Sequence, residues 1–169
     1  RRQMKSDYRI PLIFFTPKKL LRYPLAVSKL EEMGPGTRFQ EVIDDSYVEA
    51  SDVKRVLICS GKIYYDLLEE QQKNNRKDVA ILRLEQLYPL PVTHLRLAIS
   101  KYRHADWHWV QEEPRNMGAW NYILRVLTEV PLNYIGRKPS ATPATGYHHQ
   151  HVEEQNTIIG RAFGKVEET

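Results

Sequence analysis

From residue 54 onward the chain alternates between two hydrophobic periods. "KRVLIC" (54–59) is a short apolar run of strand length, and "GKIYYDLLEEQQKNN" (61–75) sets Ile63, Leu67 and Leu68 at helical core spacing before Asn74–Asn75 stops it. "DVAILRLEQL" (78–87) is the next strand, closed by the "YPLP" turn. "VTHLRLAISKYR" (92–103) predicts a helix, "DWHWVQ" (106–111) a strand, "GAWNYILRVLTEV" (118–130) a helix stopped by Pro131, and "LNYIGR" (132–137) a last short strand. "PSATPATG" (139–146) is a loop, and "HHQHVEEQNTIIGRAFG" (148–164) a closing helix. The order β-α-β-α-β-α-β-α with short connections predicts the α/β class: a mostly parallel open sheet with helices on both faces.

The first part of the chain is patterned less cleanly. "IPLIFF" (10–15) is rich in β-formers and predicts a strand closed by Pro17. "KKLLRY" (18–23) predicts a helical turn stopped by Pro24, and "AVSKLEEM" (26–33) a helix ended by "GPG" (34–36). "TRFQEVID" (37–44) alternates with a period of two, as a strand with one wet face does. No internal repeat, low-complexity segment or flexible Gly/Ser linker interrupts the chain. The expected organisation is a lead-in over residues 1–36, including a first strand, and an α/β domain over 37–169.

Composition narrows the class. Of the 169 residues, 41% are hydrophobic and 27% charged, the balance of an ordinary globular protein. No apolar run approaches the ~20 residues a membrane-spanning helix needs, so no membrane partner is expected. The net charge of +4 is uneven: residues 1–30 hold eight Lys or Arg against one Asp, a net +7, and the remainder is −3. A basic lead-in suits an anionic ligand or nucleic acid, or else packing against an acidic surface of a larger protein. No aromatic–basic stacking pattern accompanies it, so nucleic acid is not an expected partner. "RRQMKSDYR" has no initiating Met and no apolar signal core after it, which suggests a cut end. Cys59 is the only cysteine, which excludes an internal disulfide and a cysteine-based zinc site. Within "VLICSG" it is expected to be a small core residue, its buried thiol protonated and inert.

The candidate chemistry centres on "WVQEEPRNMGAW" (109–120). Glu112 and Glu113 are adjacent acids near a strand's carboxyl end, where ligands gather in open α/β sheets. Neighbours on a strand point to opposite faces, so a proton-sharing dyad would need a bend, for which Pro114 is placed. In the architectural alternative one Glu accepts hydrogen bonds in the turn, the other is solvated, and Asn116 caps the helix beginning near Gly118. "CSGK" (59–62) sits where a strand gives way to a helix, a position that attracts anions. Neither G-x-x-x-x-G-K-[ST] nor G-x-G-x-x-G is present, so an ordinary tight turn is expected. His148, His151 and Glu154 share a helical face on which zinc is imaginable, though such side chains are more often solvated, and no metal site is expected. His108 points away from Trp107 and Trp109, toward helices or water. Ser60 lacks the G-x-S-x-G elbow. On motifs alone the chain holds no self-sufficient active site.

Taken in order, "RRQ", "PLIFFTPKKLLRYPLAVSKLEEM", "KRVLICSGKIYYDLLEEQQKNN", "DVAILRLEQLYPLP", "WVQEEPRNMGAW", "YIGRKPSATPATGYHHQH" and "AFG" resemble the C-terminal region of the 2-oxoglutarate dehydrogenase decarboxylating component, in the transketolase-like thiamine-diphosphate superfamily. The resemblance runs from Arg1 to about Gly164. It implies a Rossmann-like three-layer sandwich of the transketolase C-terminal type. It implies a homodimeric parent enzyme of the citric acid cycle, which decarboxylates 2-oxoglutarate on thiamine diphosphate and magnesium and succinylates the lipoyl group of a dihydrolipoyl succinyltransferase partner. The location implied is the cytoplasm in a bacterium and the mitochondrial matrix in a eukaryote. The family's Gly-Asp-Gly…Asn-Asn signature is missing, and its catalytic histidines and pyrimidine-activating glutamate belong to earlier domains. The fragment alone is therefore expected to be inactive, with no catalytic, cofactor-binding or metal-binding residue of its own. "RRQ" would end the preceding domain's last helix, and Glu112, Glu113, Asn116 and Trp120 would be architectural or interfacial. The alternative is a regulatory module for an acyl-coenzyme A or nucleotide, with Lys18, Lys19 and Arg22 as phosphate contacts; Lys19 stands where many relatives have serine. A third possibility, a small independent enzyme using Glu112 and Glu113, requires a deep pocket holding both carboxylates.

Overall fold

The computed structural model describes residues 7–13 and 15–165. Its strands are β1 (Val42–Ile43), β2 (Arg55–Cys59), β3 (Val79–Leu84), β4 (Asp106–Pro114) and β5 (Leu132–Arg137). Its α-helices are α1 (Ile63–Lys73), α2 (Val92–Lys101), α3 (Trp120–Val126) and α4 (His148–Ala162). The strands form one sheet in the order β1-β3-β2-β4-β5. β1 is antiparallel to β3, and every other pair is parallel. This is the α/β arrangement the alternating pattern predicts.

Strand residues of opposite parity feed two cores. Val56, Ile58, Ala80, Leu82, Trp107 and Trp109 point to the side covered by Leu95 and Ala98 of α2 and Trp120 and Ile123 of α3. Leu57, Cys59, Val79, Ile81, Val110 and Ile135 point to the side covered by Ile63 and Leu67 of α1 and Ile158 and Ala162 of α4. Continuous apolar runs are what a parallel sheet buried on both faces demands. The third core position of α1 is Gln71, fully buried, while Leu68 is only half-buried. The Gln71 amide donates to the Val79 carbonyl and to Asp45 Oδ2, both at 2.7 Å, so its burial leaves that donor satisfied.

β1 is much shorter than the alternation over 37–44 predicts, and side chains explain why. After Ile43 the ladder with β3 is continued by the Asp45 carboxylate, which accepts the Ile81 amide at 2.8 Å in place of a strand carbonyl. Asp44 is held by Lys101 at 2.6 Å and by the Tyr102 hydroxyl at 3.0 Å. At the other end of the chain, Arg55 donates to the carbonyls of Arg161 and Ala162, and Arg76 to that of Phe163. These guanidinium groups satisfy the last carbonyls of α4, which have no partners within the helix.

The described chain divides after Gln40 into two units. In the first, 3-10 turns occupy Lys18–Arg22 and Leu30–Met33, and no described residue is buried. The strand expected at 10–15 does not form among its described residues, and Phe14 lies outside them. The helix expected at 26–33 is reduced to the turn at Leu30–Met33. A strand needs a ladder partner, and a helix shorter than ~12 residues needs packing; this unit supplies neither to the two segments. "RRQ" also lies outside the described residues.

Candidate functional site

The topology marks where a ligand crevice should lie. The chain passes from β2 outward to β3, then crosses back to place β4 on the opposite side of β2. The carboxyl ends of β2 and β4 thus flank a topological switch point. Lys62, just past β2, and Glu112, near the end of β4, meet there: Lys62 Nζ donates to Glu112 Oε1 at 2.5 Å. Asp66 Oδ2 lies 3.4 Å from the same ammonium and accepts the Gln155 amide of α4 at 2.9 Å. Partial burial by itself would lower the Lys62 pKa, but the Glu112 and Asp66 carboxylates outweigh it and raise it above the usual lysine value. The crevice is therefore bridged by the protein's own charges.

Glu113 is exposed, and its carboxylate does not share the Glu112 environment. The two acids form no dyad, as expected of neighbours on an extended chain. The residue organising this corner is Gln111, which the sequence reading passed over. Its Oε1 accepts Trp109 Nε1 at 2.8 Å and the Trp120 amide at 3.1 Å. Its Nε2 donates to the carbonyls of Met117 at 2.8 Å, Pro114 at 3.1 Å and Glu113 at 3.2 Å. Gly118 turns at φ +67, and a Cβ there would stand 2.9 Å from Gln111 Oε1. The place of Gln111 two residues beyond Trp109 on the same face of β4 was the available signal, since a polar residue on a buried face is held there only with partners.

Asn116 does not cap a helix. α3 begins after Ala119 with no side-chain cap, and the oxygen that meets its first amide is Gln111 Oε1, supplied by the strand. Asn116 instead joins two loops: its Nδ2 donates to the Ser140 carbonyl at 2.9 Å, and its Oδ1 accepts the Ser140 amide at 3.0 Å. Trp120 is buried, its ring 5.2 Å from that of Tyr134.

Beyond β5, a cavity of about 660 Å³ opens between the 138–147 loop and α4. Its wall includes Arg137, Lys138, Ser140, Thr145, Glu154 and Arg161. Arg137 Nε pairs with Glu154 at 2.8 Å, and its Nη2 lies 2.9 Å from His151 Nδ1. Two of the three side chains considered for zinc are thus engaged by a guanidinium, and no group of three metal-ligating side chains occurs among the described residues. His108 is buried on the α1/α4 side of the sheet. Cys59 is fully buried, and desolvation pushes its thiol up to about 12. Lys18, Lys19 and Arg22 are exposed on one 3-10 turn, with Lys19 Nζ 5.4 Å from the centre of the Tyr23 ring. The structure does not bring Glu112 to Glu113; among the sequence candidates it joins Glu112 to Lys62, and His151 and Glu154 through Arg137.

Comparison with known proteins adds an independent finding. The family described as 2-oxoglutarate dehydrogenase C-terminal matches residues 27–163. The chain is 49% identical over 170 residues to the 2-oxoglutarate dehydrogenase E1 component of Haemophilus influenzae, covering 96% of this chain and 18% of that protein. It is 44% identical over 174 residues to the E1 component of Rickettsia felis, covering 97% of this chain, and 45% identical over 166 residues to the oxoglutarate dehydrogenase of Buchnera aphidicola, covering 94%. In each case the chain spans 18% of the relative's length.

Proposed function

The chain belongs to the 2-oxoglutarate dehydrogenase C-terminal family, and on that premise we propose that it is the structural C-terminal domain of an E1 component. The parent oxidatively decarboxylates 2-oxoglutarate and passes the succinyl group to the lipoyl arm of a succinyltransferase. In this reading the domain supports catalytic domains encoded elsewhere in the same polypeptide, and it organises their dimer.

One observation carries the reading: the sheet's switch point, where an α/β domain with its own chemistry would hold a ligand, is bridged by Lys62 and Glu112. Thiamine diphosphate with magnesium would supply the parent's electron sink, and the described residues of this chain do not fit that group. Asn74 and Asn75 end α1, with Asn75 at φ 48 and its Oδ1 engaged by the Tyr47 hydroxyl. Magnesium favours carboxylates arranged about an octahedral site, and the described residues offer no cluster of three such ligands. No step of the reaction is assigned to this chain.

The test is to prepare the chain alone and the complete E1 polypeptide side by side. The chain alone should fold, retain no thiamine diphosphate on gel filtration and release no carbon dioxide from 2-oxoglutarate. The complete polypeptide should fold, retain thiamine diphosphate and release carbon dioxide, and removing residues 41–169 from it should abolish soluble dimer. Decarboxylation by the chain alone would overturn the proposal.

A further inference from the structure

The unit that ends at Gln40 leaves large apolar side chains in water. Phe15 is 96% exposed, Leu30 78%, Val27 76%, Ile13 75% and Leu21 72%. More than half of the residues from Tyr8 to Met33 are hydrophobic. A solvated linker is instead rich in Gly, Ser or charge, because it has little apolar surface to bury. Pro11, Pro17 and Pro24 stop a helix or ladder from extending here, and two 3-10 turns are what forms. Exposed apolar groups in such number mark a surface that meets another.

The two turns order what they present. In a 3-10 helix, side chains three apart stand one above the other. Leu30 and Met33 therefore project together; so do Lys18 and Leu21, beside Lys19 and Arg22. The unit thus sets apolar groups among cations. From Tyr8 to Leu30 it carries five Lys or Arg and no carboxylate. The surface complementary to it is an apolar groove with Asp or Glu at its rim.

The relatives indicate where that groove lies. The family match begins at residue 27, yet 96% of the chain aligns with the Haemophilus influenzae E1 component. Most of the segment before Val27 is therefore shared with an E1 polypeptide while lying outside the C-terminal family domain. The chain spans 18% of that relative, so the greater part of such a polypeptide is available to cover the segment.

Resting on the reading that the chain is the C-terminal domain of an E1 component, we infer that residues 8–33 are an anchoring arm. The arm is seated in an acidic-rimmed apolar groove on the remainder of the same polypeptide. Phe15, Leu21 and Leu30 fill the groove, and Lys18 and Arg22 meet its carboxylates.

Trypsin reads the arm directly, since it cleaves after Lys18, Lys19, Arg22 and Lys29. These sites should be cut first in the chain alone. In the complete E1 polypeptide their cleavage, followed by fragment mass, should slow by about tenfold or more, because proteolysis tracks the population of the open form. The double substitution Phe15→Ser with Leu30→Ser should restore rapid cleavage after Arg22 in the complete polypeptide, and Lys18→Glu should speed it. Both should leave cleavage of the chain alone within about twofold, as changes at exposed positions do. Equally fast cleavage in a complete polypeptide that retains thiamine diphosphate and decarboxylates 2-oxoglutarate would sink the arm and leave the proposed function standing. Decarboxylation by the chain alone would sink both. Protection that grows with protein concentration would assign the groove to a second copy. Protection that appears only when the succinyltransferase is added would assign it to that partner. Either of these last two results overturns the inference.

Discussion

Replacing Gln111 by Leu removes the amide that organises the corner after β4 while keeping similar bulk. The buried Trp109 Nε1 and the buried Trp120 amide both lose their acceptor. The carbonyls of Pro114 and Met117 lose a donor as well. An unsatisfied buried donor costs ~1–3 kcal/mol, so the two donors alone imply a destabilisation of about 2–6 kcal/mol. That is a large share of the ~5–15 kcal/mol that holds a typical domain folded. Urea unfolding followed by tryptophan fluorescence measures it: the midpoint should fall at nearly constant m-value, because the surface exposed on unfolding hardly changes. The thermal midpoint should drop by roughly 4–24 °C at ~2–4 °C per kcal/mol for a chain of this size. Glu113→Gln is the matched control, two residues away on the same strand and exposed, and it should leave the midpoint within about 0.5 kcal/mol of the parent. If Gln111→Leu costs less than about 1 kcal/mol, the corner is held by something other than this amide and the reasoning fails.

Other perturbations separate architecture from chemistry. Gly118→Ala forces a Cβ against Gln111 at φ +67 and should cost about 1–3 kcal/mol in the same urea assay. Glu112→Gln breaks only a partly solvated pair with Lys62 and should cost less than about 1 kcal/mol. Because the Lys62 pKa is raised by folding, the pair's contribution is full below the ordinary lysine value and fades as pH climbs through the raised one, so any difference between Glu112→Gln and the parent should shrink in alkali. For Cys59 the folded thiol titrates near about 12 against an ordinary 9.0. The unfolded chain therefore sheds that proton first, and stability should fall above pH ~9 by up to ~1.4 kcal/mol per unit. At neutral pH a disulfide reagent should label Cys59 at the rate of unfolding, and rapid labelling of the native protein would contradict its burial.

The legible parts of this protein are those whose signal is local. The alternation after residue 54 specified four parallel strands and their covering helices, and β5 at Leu132–Arg137 coincides with its apolar run. Period-two and period-3.6 patterns record which face of an element is buried, and burial is set residue by residue. The long resemblance of ordered segments likewise pointed to the family that the match over residues 27–163 shows. It was carried by the segments as a set, and no single motif within them specifies a reaction.

What the pattern left open depends on partners distant in sequence. Gln71 and Leu68 are neighbours on one helix, and only the approach of Asp45 and the Val79 carbonyl makes the polar one the buried one. Asn116 has the composition of a helix cap, yet its partner is Ser140, across two loops. Lys62 and Glu112 meet because β2 and β4 are adjacent in parallel register, with Cys59 opposite Val110. The apolar residues at 10–15 have β propensity but no strand to pair with among the described residues of their unit. The sequence by itself determined which stretches carry an apolar face, because that periodicity is a local property of the chain. Only the tertiary structure decided which polar groups satisfy one another, because a hydrogen bond requires two groups within about 3 Å, and that distance is set by strand order and register.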